Sequence, residues 1–163
     1  MSGRAWVYGD NLDTDVLAPG KYMKFGIEEI AKHCLESVDP SFVGGVRAGD
    51  VVAGGRNFGV GSSREQAPQA LKFLGVEALI AESFAGLFYR NALNLGLVAL
   101  VCQDAKRIRA GDQIACDPVA GHISNQTTQE VYACEPLPAH LLEMVRDGGL
   151  LPHLHKRLKK DAS

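Results

Sequence analysis

The chain has 163 residues, of which 46% are hydrophobic and 22% charged, and its formal net charge is −2. This balance is typical of a globular protein with a packed core and gives no indication of a basic nucleic-acid-binding surface. No apolar run is long enough to span a membrane, and the first residues lack the basic flank and apolar core of a secretory signal. We therefore expect a cytoplasmic protein with one domain over residues 1–163 and with neither a nucleic-acid nor a membrane partner.

The cysteines are spread along the chain, and no two of them form a C-x-x-C pair. Metal and iron–sulfur sites usually draw on closely spaced cysteines, so we expect no metal site on this chain. The thiols should instead behave as small buried apolar groups in a reducing compartment. The four positions are Cys34, Cys102, Cys116 and Cys134.

The first third of the chain predicts one strand, one polar turn and one helix. Residues 4–9 have the apolar side chains of a strand, and residues 10–15 are rich in turn-forming Asp and Asn. Residues 16–25 contain a Pro-Gly pair and predict an ordered loop. Residues 26–35 place apolar side chains at helical spacing, whereas residues 37–49 predict a loop.

A segment rich in glycine and serine, residues 57–67, follows a predicted strand at 50–55 and precedes a predicted helix. Glycine allows close backbone approach, and a helix start directs free N–H groups and the positive dipole end at a ligand. Since Ser62, Ser63 and Arg64 share one turn, the segment is suited to an anion such as a carboxylate or phosphate.

A purely structural alternative for this segment is a capping box, in which Ser62 caps the helix predicted over residues 68–74 and Glu65 reaches back. The known phosphate motifs do not fit, because Arg64 takes the place of the third glycine of a dinucleotide fingerprint and no Gly-Lys-Ser/Thr follows. The G-x-S-x-G elbow is absent as well, which argues against a serine hydrolase.

After the central segment, buried strands alternate with a helix. Residues 76–81 and 97–102 are apolar enough for buried strands, and Ser83 is placed to cap a helix that stops at Gly96. Strand, helix and strand in this order imply a parallel crossover.

The last third of the chain predicts strands at 111–117 and 129–134, joined by a polar turn around Gly121. A short helix over residues 138–146 follows, and residues 150–163 predict an exposed basic tail. The whole pattern predicts an α/β fold with a mixed sheet.

Three separated stretches of the chain form one pattern. They are Asp13-Thr14-Asp15, Gly61-Ser62-Ser63-Arg64-Glu65, and the run from Ser83-Phe84 through Tyr89-Arg90-Asn91 to Gly96-Leu97. Together they resemble the small subunits of 3-isopropylmalate dehydratase, which are aconitase-type swivel domains. The resemblance covers about residues 6–102 strongly and the remainder loosely. It implies a single swivelling β/β/α domain like the aconitase C-terminal domain.

The resemblance also implies half of a two-subunit hydro-lyase. In that family a larger partner holds a [4Fe-4S] cluster through its own cysteines, in agreement with the scattered cysteines here. The reaction removes water from a 2-hydroxy di- or tricarboxylate and returns it in the other orientation. The main expectation is a 3-isopropylmalate dehydratase of leucine biosynthesis that is active only with its large subunit. Without its large subunit, self-association of the chain is a further expectation.

The resemblance gives roles to residues in the first two stretches. Ser62 is the expected base, which removes a proton from the carbon next to a substrate carboxylate. Ser63 and Arg64 are expected to bind substrate and to stabilise the serine alkoxide, and Arg64 can hold a carboxylate at two points. Asp15 is the second expected catalytic residue, orienting or pairing with a histidine of the partner, with a turn role alone as the alternative. Thr14 is expected to bind substrate beside it.

Lys24 lies in a loop that covers the variable part of the substrate in the resembled family. A cation there favours a polar or additional carboxylate group, because an unpaired ammonium beside an alkyl chain is costly. Alternatively, Lys24 turns outward and leaves Met23 and Phe25 to line the site. Val60 and Gln66 stand where many relatives have Cys and His, and the chain is shorter than the long bacterial form.

These features leave the substrate open. The alternatives are the small subunit of a homoaconitase or of a methylated-malate dehydratase. A third alternative, from a different class, is a non-catalytic anion-binding module of the same fold.

Overall fold

The structure is a computed structural model that describes residues 2–62 and 64–162. Seven strands form one mixed sheet in the order β4-β3-β2-β1-β5-β6-β7. Strand β1 pairs parallel with β2 and antiparallel with β5, so it joins a parallel half, β1–β4, to an antiparallel half, β5–β7. The strands are β1 Gly3–Val7, β2 Val51–Ala53, β3 Ala78–Ala81, β4 Val98–Val101, β5 Gln113–Asp117, β6 His122–Asn125 and β7 Glu130–Ala133. The expected α/β fold with a mixed sheet is confirmed.

The helices differ widely in length, and the short ones lie in the first third of the chain. Two 3₁₀ turns, Gly20–Tyr22 and Ala105–Arg107, accompany them. The α-helices are α1 Thr14–Leu17, α2 Ile27–Ala31, α3 Phe42–Gly45, α4 Gln66–Phe73, α5 Gly86–Asn94, α6 Ala139–Arg146 and α7 Leu150–Ala162.

Helix α3 lies inside the segment that was expected to be a loop, so that prediction was wrong over these residues. The cause is one apolar anchor, Phe42, which is completely buried. Its ring packs edge-on against Trp6 and Tyr8 on the first strand, with centroids 5.2 and 6.3 Å away. Tertiary packing therefore stabilises a helical turn that the Gly-rich sequence does not favour by itself.

The parallel half follows the predicted strand–helix–strand order. All residues of β2 and β3 are buried, as the continuous apolar runs indicated. Helix α5 ends just before Gly96, which has a φ of +82°, as expected for a glycine helix stop. The prediction that Ser83 caps this helix was wrong, because α5 begins at Gly86 after Ala85 and the Ser83 hydroxyl instead accepts a bond from the backbone N–H of Asn57.

The antiparallel half contains a strand that the sequence did not reveal. The polar turn around Gly121 is present, with a φ of +78°, but β6 follows it before the second predicted strand begins. Strand β6 has only one apolar residue, Ile123, in four positions, so its sequence shows no period-2 pattern. It pairs with β5 from Asp117↔His122 to Ile114↔Asn125.

A buried polar cluster lies inside this half. The Asn125 amide donates to Asp112 Oδ2 at 2.8 Å and to the Tyr132 hydroxyl at 3.2 Å. Its oxygen accepts from the backbone N–H groups of Thr127 and Thr128 at 3.1 and 3.2 Å. Asn125 is 1% exposed, so these bonds satisfy a side chain that water does not reach.

The residues expected to form an exposed tail form helix α7, most of whose side chains are exposed. It follows Gly148-Gly149, where both residues have positive φ values, and packs on α6. Among the described residues, no helix combines the length and hydrophobicity needed to cross a membrane.

Candidate active site

Two loops meet beyond the carboxyl ends of the adjacent parallel strands β1 and β2. The backbone N–H of Asn11 donates to the carbonyl of Arg56, and that of Gly59 donates to Leu12, at 2.8 and 2.7 Å. The Thr14 N–H donates to Val60 at 2.9 Å. These backbone bonds join the polar loop after β1 to the glycine-rich loop after β2. Such an edge, where parallel strands end side by side, is the usual place for a ligand in an α/β sheet.

Ser62 is exposed at the tip of the second loop. Helix α4 begins only at Gln66, and its N-cap residue, Glu65, makes no side-chain capping bond. The capping-box alternative for Ser62 and Glu65 is therefore wrong. Because the helix starts four residues beyond Ser62, this serine is displayed by the loop and is not part of the helix cap.

Thr14 holds the backbone of Ser62 in place. Its side chain is almost completely buried, and its hydroxyl donates to the Ser62 carbonyl at 2.8 Å. Gly61, with a φ of +110°, allows this approach, since a Cβ there would lie 3.2 Å from the Thr14 hydroxyl oxygen. The expected contact between Thr14 and substrate stays a prediction, while the observed contact is one that positions Ser62.

Arg64 and Asp15 form an ion pair across the two loops. Arg64 Nη1 lies 2.7 Å from Asp15 Oδ1 and also donates to the Ala18 carbonyl at 3.1 Å. The same Asp15 oxygen accepts from the backbone N–H of Gly20 at 2.8 Å. The Arg64 hydrogen bond, followed by the Gly20 bond, holds the pKa of the Asp15 carboxyl below its usual range. The carboxylate, whose side chain is 67% exposed, therefore stays ionised to a lower pH than an ordinary aspartate.

The loop after β2 packs on a group of aromatic rings. Phe58 is buried and its ring lies 5.4 and 5.5 Å from those of Phe84 and Phe88. Cβ atoms at Gly54 and Gly59 would lie only 2.6 and 2.1 Å from the rings of Phe58 and Phe88. These two glycines thus permit close packing against aromatic rings, whereas the sequence had suggested close approach to a ligand.

One further loop residue, Asn57, and two remaining candidates, Lys24 and Ser63, complete the account of this edge. Asn57 braces the two loops, because its amide donates to Asn11 Oδ1 at 3.0 Å. Lys24 is exposed, and its ammonium lies 5.4 Å from the centre of the Phe25 ring. Ser63 lies outside the described residues, so its expected role in binding substrate stays a prediction.

Two further residues contribute to this site, and the second of them was missed from the sequence. Asp13 caps α1 by accepting from the Val16 N–H at 2.9 Å, which fixes the turn that presents Asp15. Gly20 supplies an N–H to Asp15, and a Cβ there would crowd both members of the Asp15–Arg64 pair. The Pro-Gly pair had indicated a loop, but it carried no signal of an ion pair beside it.

The four cysteines are free thiols, of which Cys34, Cys102 and Cys134 are buried and Cys116 is half-buried. Burial raises the pKa values of Cys34 and Cys116 to about 12 and that of Cys134 to about 11. Within residues 2–62 and 64–162, the three metal-ligating side chains that come within 4.8 Å of one another are Glu143, Asp147 and His153, none of them a cysteine.

Comparisons with known proteins agree with the fold. Residues 47–105 match the model of the aconitase C-terminal domain. A methanogen homoaconitase small subunit from Methanothermobacter thermautotrophicus is 47% identical over 97% of this chain and 92% of its own length. A 3-isopropylmalate dehydratase small subunit from Caldicellulosiruptor saccharolyticus is 46% identical over 99% of this chain and 95% of its own.

An isopropylmalate/citramalate isomerase small subunit from Methanocaldococcus jannaschii is 42% identical, over 97% of this chain and 95% of its own length. The crystal structure of a 3-isopropylmalate dehydratase from the same organism matches 99% of this chain and 96% of its own, with a TM-score of 0.93 and 39% identity. The sheet, the two loops and these matches define an aconitase-type swivel domain. More narrowly, the chain belongs to the family of 3-isopropylmalate dehydratase small subunits, as the resemblance predicted.

Proposed function

We propose that this chain is the small subunit of a two-subunit, iron–sulfur-dependent hydro-lyase of the 3-isopropylmalate dehydratase type. Such an enzyme isomerises a 2-hydroxy di- or tricarboxylate by dehydration and rehydration. One observation carries the proposal: Ser62 and Arg64 come from one loop, Thr14 and Asp15 from another, and two hydrogen bonds of 2.8 and 2.7 Å join them. An anion-binding module alone would not need an exposed serine held in this way beside an arginine.

In the proposed mechanism Ser62 removes the proton next to a substrate carboxylate. A serine alkoxide is costly at neutral pH, and the Arg64 guanidinium two residues along supplies positive charge in the same loop. Arg64 has five N–H donors, so it can hold a substrate carboxylate in addition to Asp15. We assign Asp15 to positioning Arg64, with its exposed side left to meet an acid–base group of the partner. Thr14 positions the Ser62 backbone.

We place the [4Fe-4S] cluster on a large partner subunit. Support comes from the cysteines of this chain, which are widely separated in sequence and do not belong to the close group of metal-ligating side chains among the described residues, and from the names of its relatives, which are small subunits. The test is to assay this chain alone, the large subunit alone and the reconstituted pair. Activity and stoichiometric iron–sulfur absorption are expected only when the large subunit is present. A stable, active cluster on this chain alone would overturn the assignment.

For the substrate we propose 3-isopropylmalate, with homoaconitate and citramalate as the alternatives. Relatives whose names cover all three are 42–47% identical to this chain, so identity does not separate them. A role for the exposed Lys24 in reading the variable group would favour the alternatives, because an ammonium suits a polar group better than an alkyl group. The test compares kcat/KM for the wild type and Lys24→Val on the three acids. Fixed ratios among substrates would exclude Lys24 from specificity.

A further inference from the structure

His33 lies flat against Tyr22, beside the candidate site. The two ring centres are 3.6 Å apart, and the ring planes differ by only 6°. His33 follows helix α2, whereas Tyr22 is the last residue of the 3₁₀ turn Gly20–Tyr22. The His33 side chain is 23% exposed, so most of its surface is in contact with other groups. The segment after His33 is fixed to helix α1, because the Leu35 N–H donates to the Val16 carbonyl at 2.9 Å.

Two carboxylates contact the His33 ring, one at each nitrogen. Nδ1 lies 2.6 Å from Glu36 Oε2, and Nε2 lies 3.3 Å from Glu29 Oε1. A neutral imidazole has one N–H and can donate to only one of these oxygens, whereas the protonated ring has two N–H donors. Both bonds therefore form only when His33 is protonated. The positive ring then also makes a cation–π contact with Tyr22.

The other charges near the ring are two ammonium groups. Lys32 Nζ lies 3.3 Å from Glu29 Oε2, and Lys21 Nζ lies 5.2 Å from the centre of the Tyr22 ring. The Lys32 bond, followed by that of His33, holds the pKa of the Glu29 carboxyl below its usual range. Both lysines are exposed, so water and salt weaken their repulsion of a positive ring. The direct partners of the His33 nitrogens are thus the two carboxylates.

The turn on which His33 stacks also holds the ion pair of the candidate site. Gly20 begins this turn, and its N–H donates to Asp15 Oδ1 at 2.8 Å. Asp15, Gly20 and Glu36 line the same cavity, which has a volume of about 310 Å³. The His33 cluster and the Asp15–Arg64 pair are therefore two sides of one cavity, and a single helical turn joins them.

We propose that protonated His33 is a positioning residue for the Asp15–Arg64 pair. Its ring holds the turn Gly20–Tyr22, and the turn holds Asp15 against Arg64 through the Gly20 N–H. This inference rests on the proposed function, in which Arg64 binds a substrate carboxylate. Loss of the positive ring should therefore weaken substrate binding more than it slows the chemical step.

The first test measures kcat and KM of the assembled enzyme between about pH 6 and 8, where histidines usually titrate. The variant is His33→Gln, whose amide nitrogen can reach only one of the two carboxylates. The matched control is His155→Gln, an exposed histidine on α7. At the acidic end we expect KM to rise about five- to tenfold in the His33 variant, with kcat within about twofold of the wild type. The control should keep the wild-type KM.

The ratio of the variant KM to the wild-type KM isolates His33, because groups of the substrate and the large subunit titrate equally in both enzymes. This ratio should fall toward one as the pH rises, since the neutral wild-type ring loses one of its two bonds. A residue with a merely structural role would give a ratio that does not depend on pH.

The second test needs no activity. In an NMR titration of the isolated full chain, the Gly20 amide shift should change with the same midpoint as the His33 ring, because Gly20 donates to Asp15 from the turn. This transition at Gly20 should disappear in His33→Gln and persist in His155→Gln. Tyr22→Leu, which removes the stacked ring but keeps the histidine, should abolish it as well.

Circular dichroism checks that each variant is folded, and Tyr22→Leu replaces His33→Gln in both tests if the latter is not. An unchanged KM in the folded variant overturns the inference. So does a KM ratio that is constant with pH, or a Gly20 amide that does not follow the His33 ring. If Gly20 follows His33 but the wild-type pair dehydrates none of the three acids, the proposed function fails and the coupling of His33 to the turn stands.

Discussion

The candidate site residues of the parallel half lie in loops beyond the strand ends, whereas Asp112 and Asn125 of the antiparallel half lie inside the protein. Asp15 belongs to the first group and is 67% exposed, paired with an arginine from another loop. Asp112 belongs to the second, is 6% exposed and accepts from the buried Asn125 amide. The same residue type thus lies at an exposed, loop-lined edge in one half and in a closed hydrogen-bonded interior in the other.

The direction of the strands explains this difference. Parallel strands all end at one edge, so the loops after β1 and β2 are forced to meet, and their polar groups need not be buried. Antiparallel neighbours end at alternate edges and are joined by tight turns, so no such gathering of loops occurs. We expect substitutions in the first half to change catalysis and those in the second to change stability.

Ser62→Ala should have the largest effect. Loss of the proposed base is expected to lower kcat of the assembled enzyme by about 10²- to 10⁴-fold. The melting temperature should stay almost unchanged, because Ser62 is exposed and does not cap α4. Steady-state kinetics and a thermal melt measure both quantities, with Ser124→Ala in β6 as the control. Near-normal turnover would remove Ser62 from the catalytic role.

Asn125→Ala tests the antiparallel half of the sheet. It breaks the buried contacts with Asp112 and Tyr132 and leaves polar groups unpaired, so the free energy of unfolding should fall by about 2–3 kcal/mol. The kcat of the protein that remains folded should be that of the wild type. Denaturant unfolding of the isolated chain gives the free energy of unfolding. A loss of activity without a loss of stability would contradict the division between the halves.

Thr14→Val should have a smaller effect that falls on both properties. It keeps the shape of the side chain but removes the bond to the Ser62 carbonyl, at a cost of about 1 kcal/mol in stability. Because the serine loop loses its anchor, kcat should fall about tenfold with little change in KM. Thr14→Ser keeps the hydroxyl and should recover most of the rate. A rise in KM alone would instead support direct substrate binding by Thr14.

Asp15→Asn should have the smallest effect on stability, and that effect should depend on pH. The folded-state pKa of Asp15 is depressed, so its contribution is present above the ordinary carboxyl pKa of 3.8 and is lost as pH falls through the lower folded value. Since the pair is exposed, the difference from wild type should stay below about 1 kcal/mol. The melting temperatures of wild type and Asp15→Asn should converge as the pH falls below the ordinary carboxyl pKa and through the lower folded-state pKa. If the difference in melting temperature between the two proteins grew on acidification, Asp15 would not be stabilised as a carboxylate, and the ion-pair assignment would be wrong.

The sequence predicted the parallel half well, since continuous apolar runs such as β3 mark buried strands and Gly96 marks a helix end. It did not predict β6, which is short and mostly polar, or α3, which depends on Phe42 packing against Trp6 and Tyr8. For the site, it singled out Ser62 and Arg64. It could not show that Gly20 and Ala18 complete the ion pair, because backbone groups carry no sequence signal of their own.

Strand β1 has a consequence for how the chain folds. It lies in the middle of the sheet, and both of its neighbours come from much later in the chain, Val51–Ala53 on one side and Ile114 on the other. The chain must close loops over these separations before the strands can pair, and the entropy cost of loop closure slows folding. As the chain is synthesised, β1 has no partner strand until β2 has been made, and its other edge stays open until β5 follows. Folding of the two halves is therefore coupled through one five-residue strand, and a substitution in β1 should slow the formation of both.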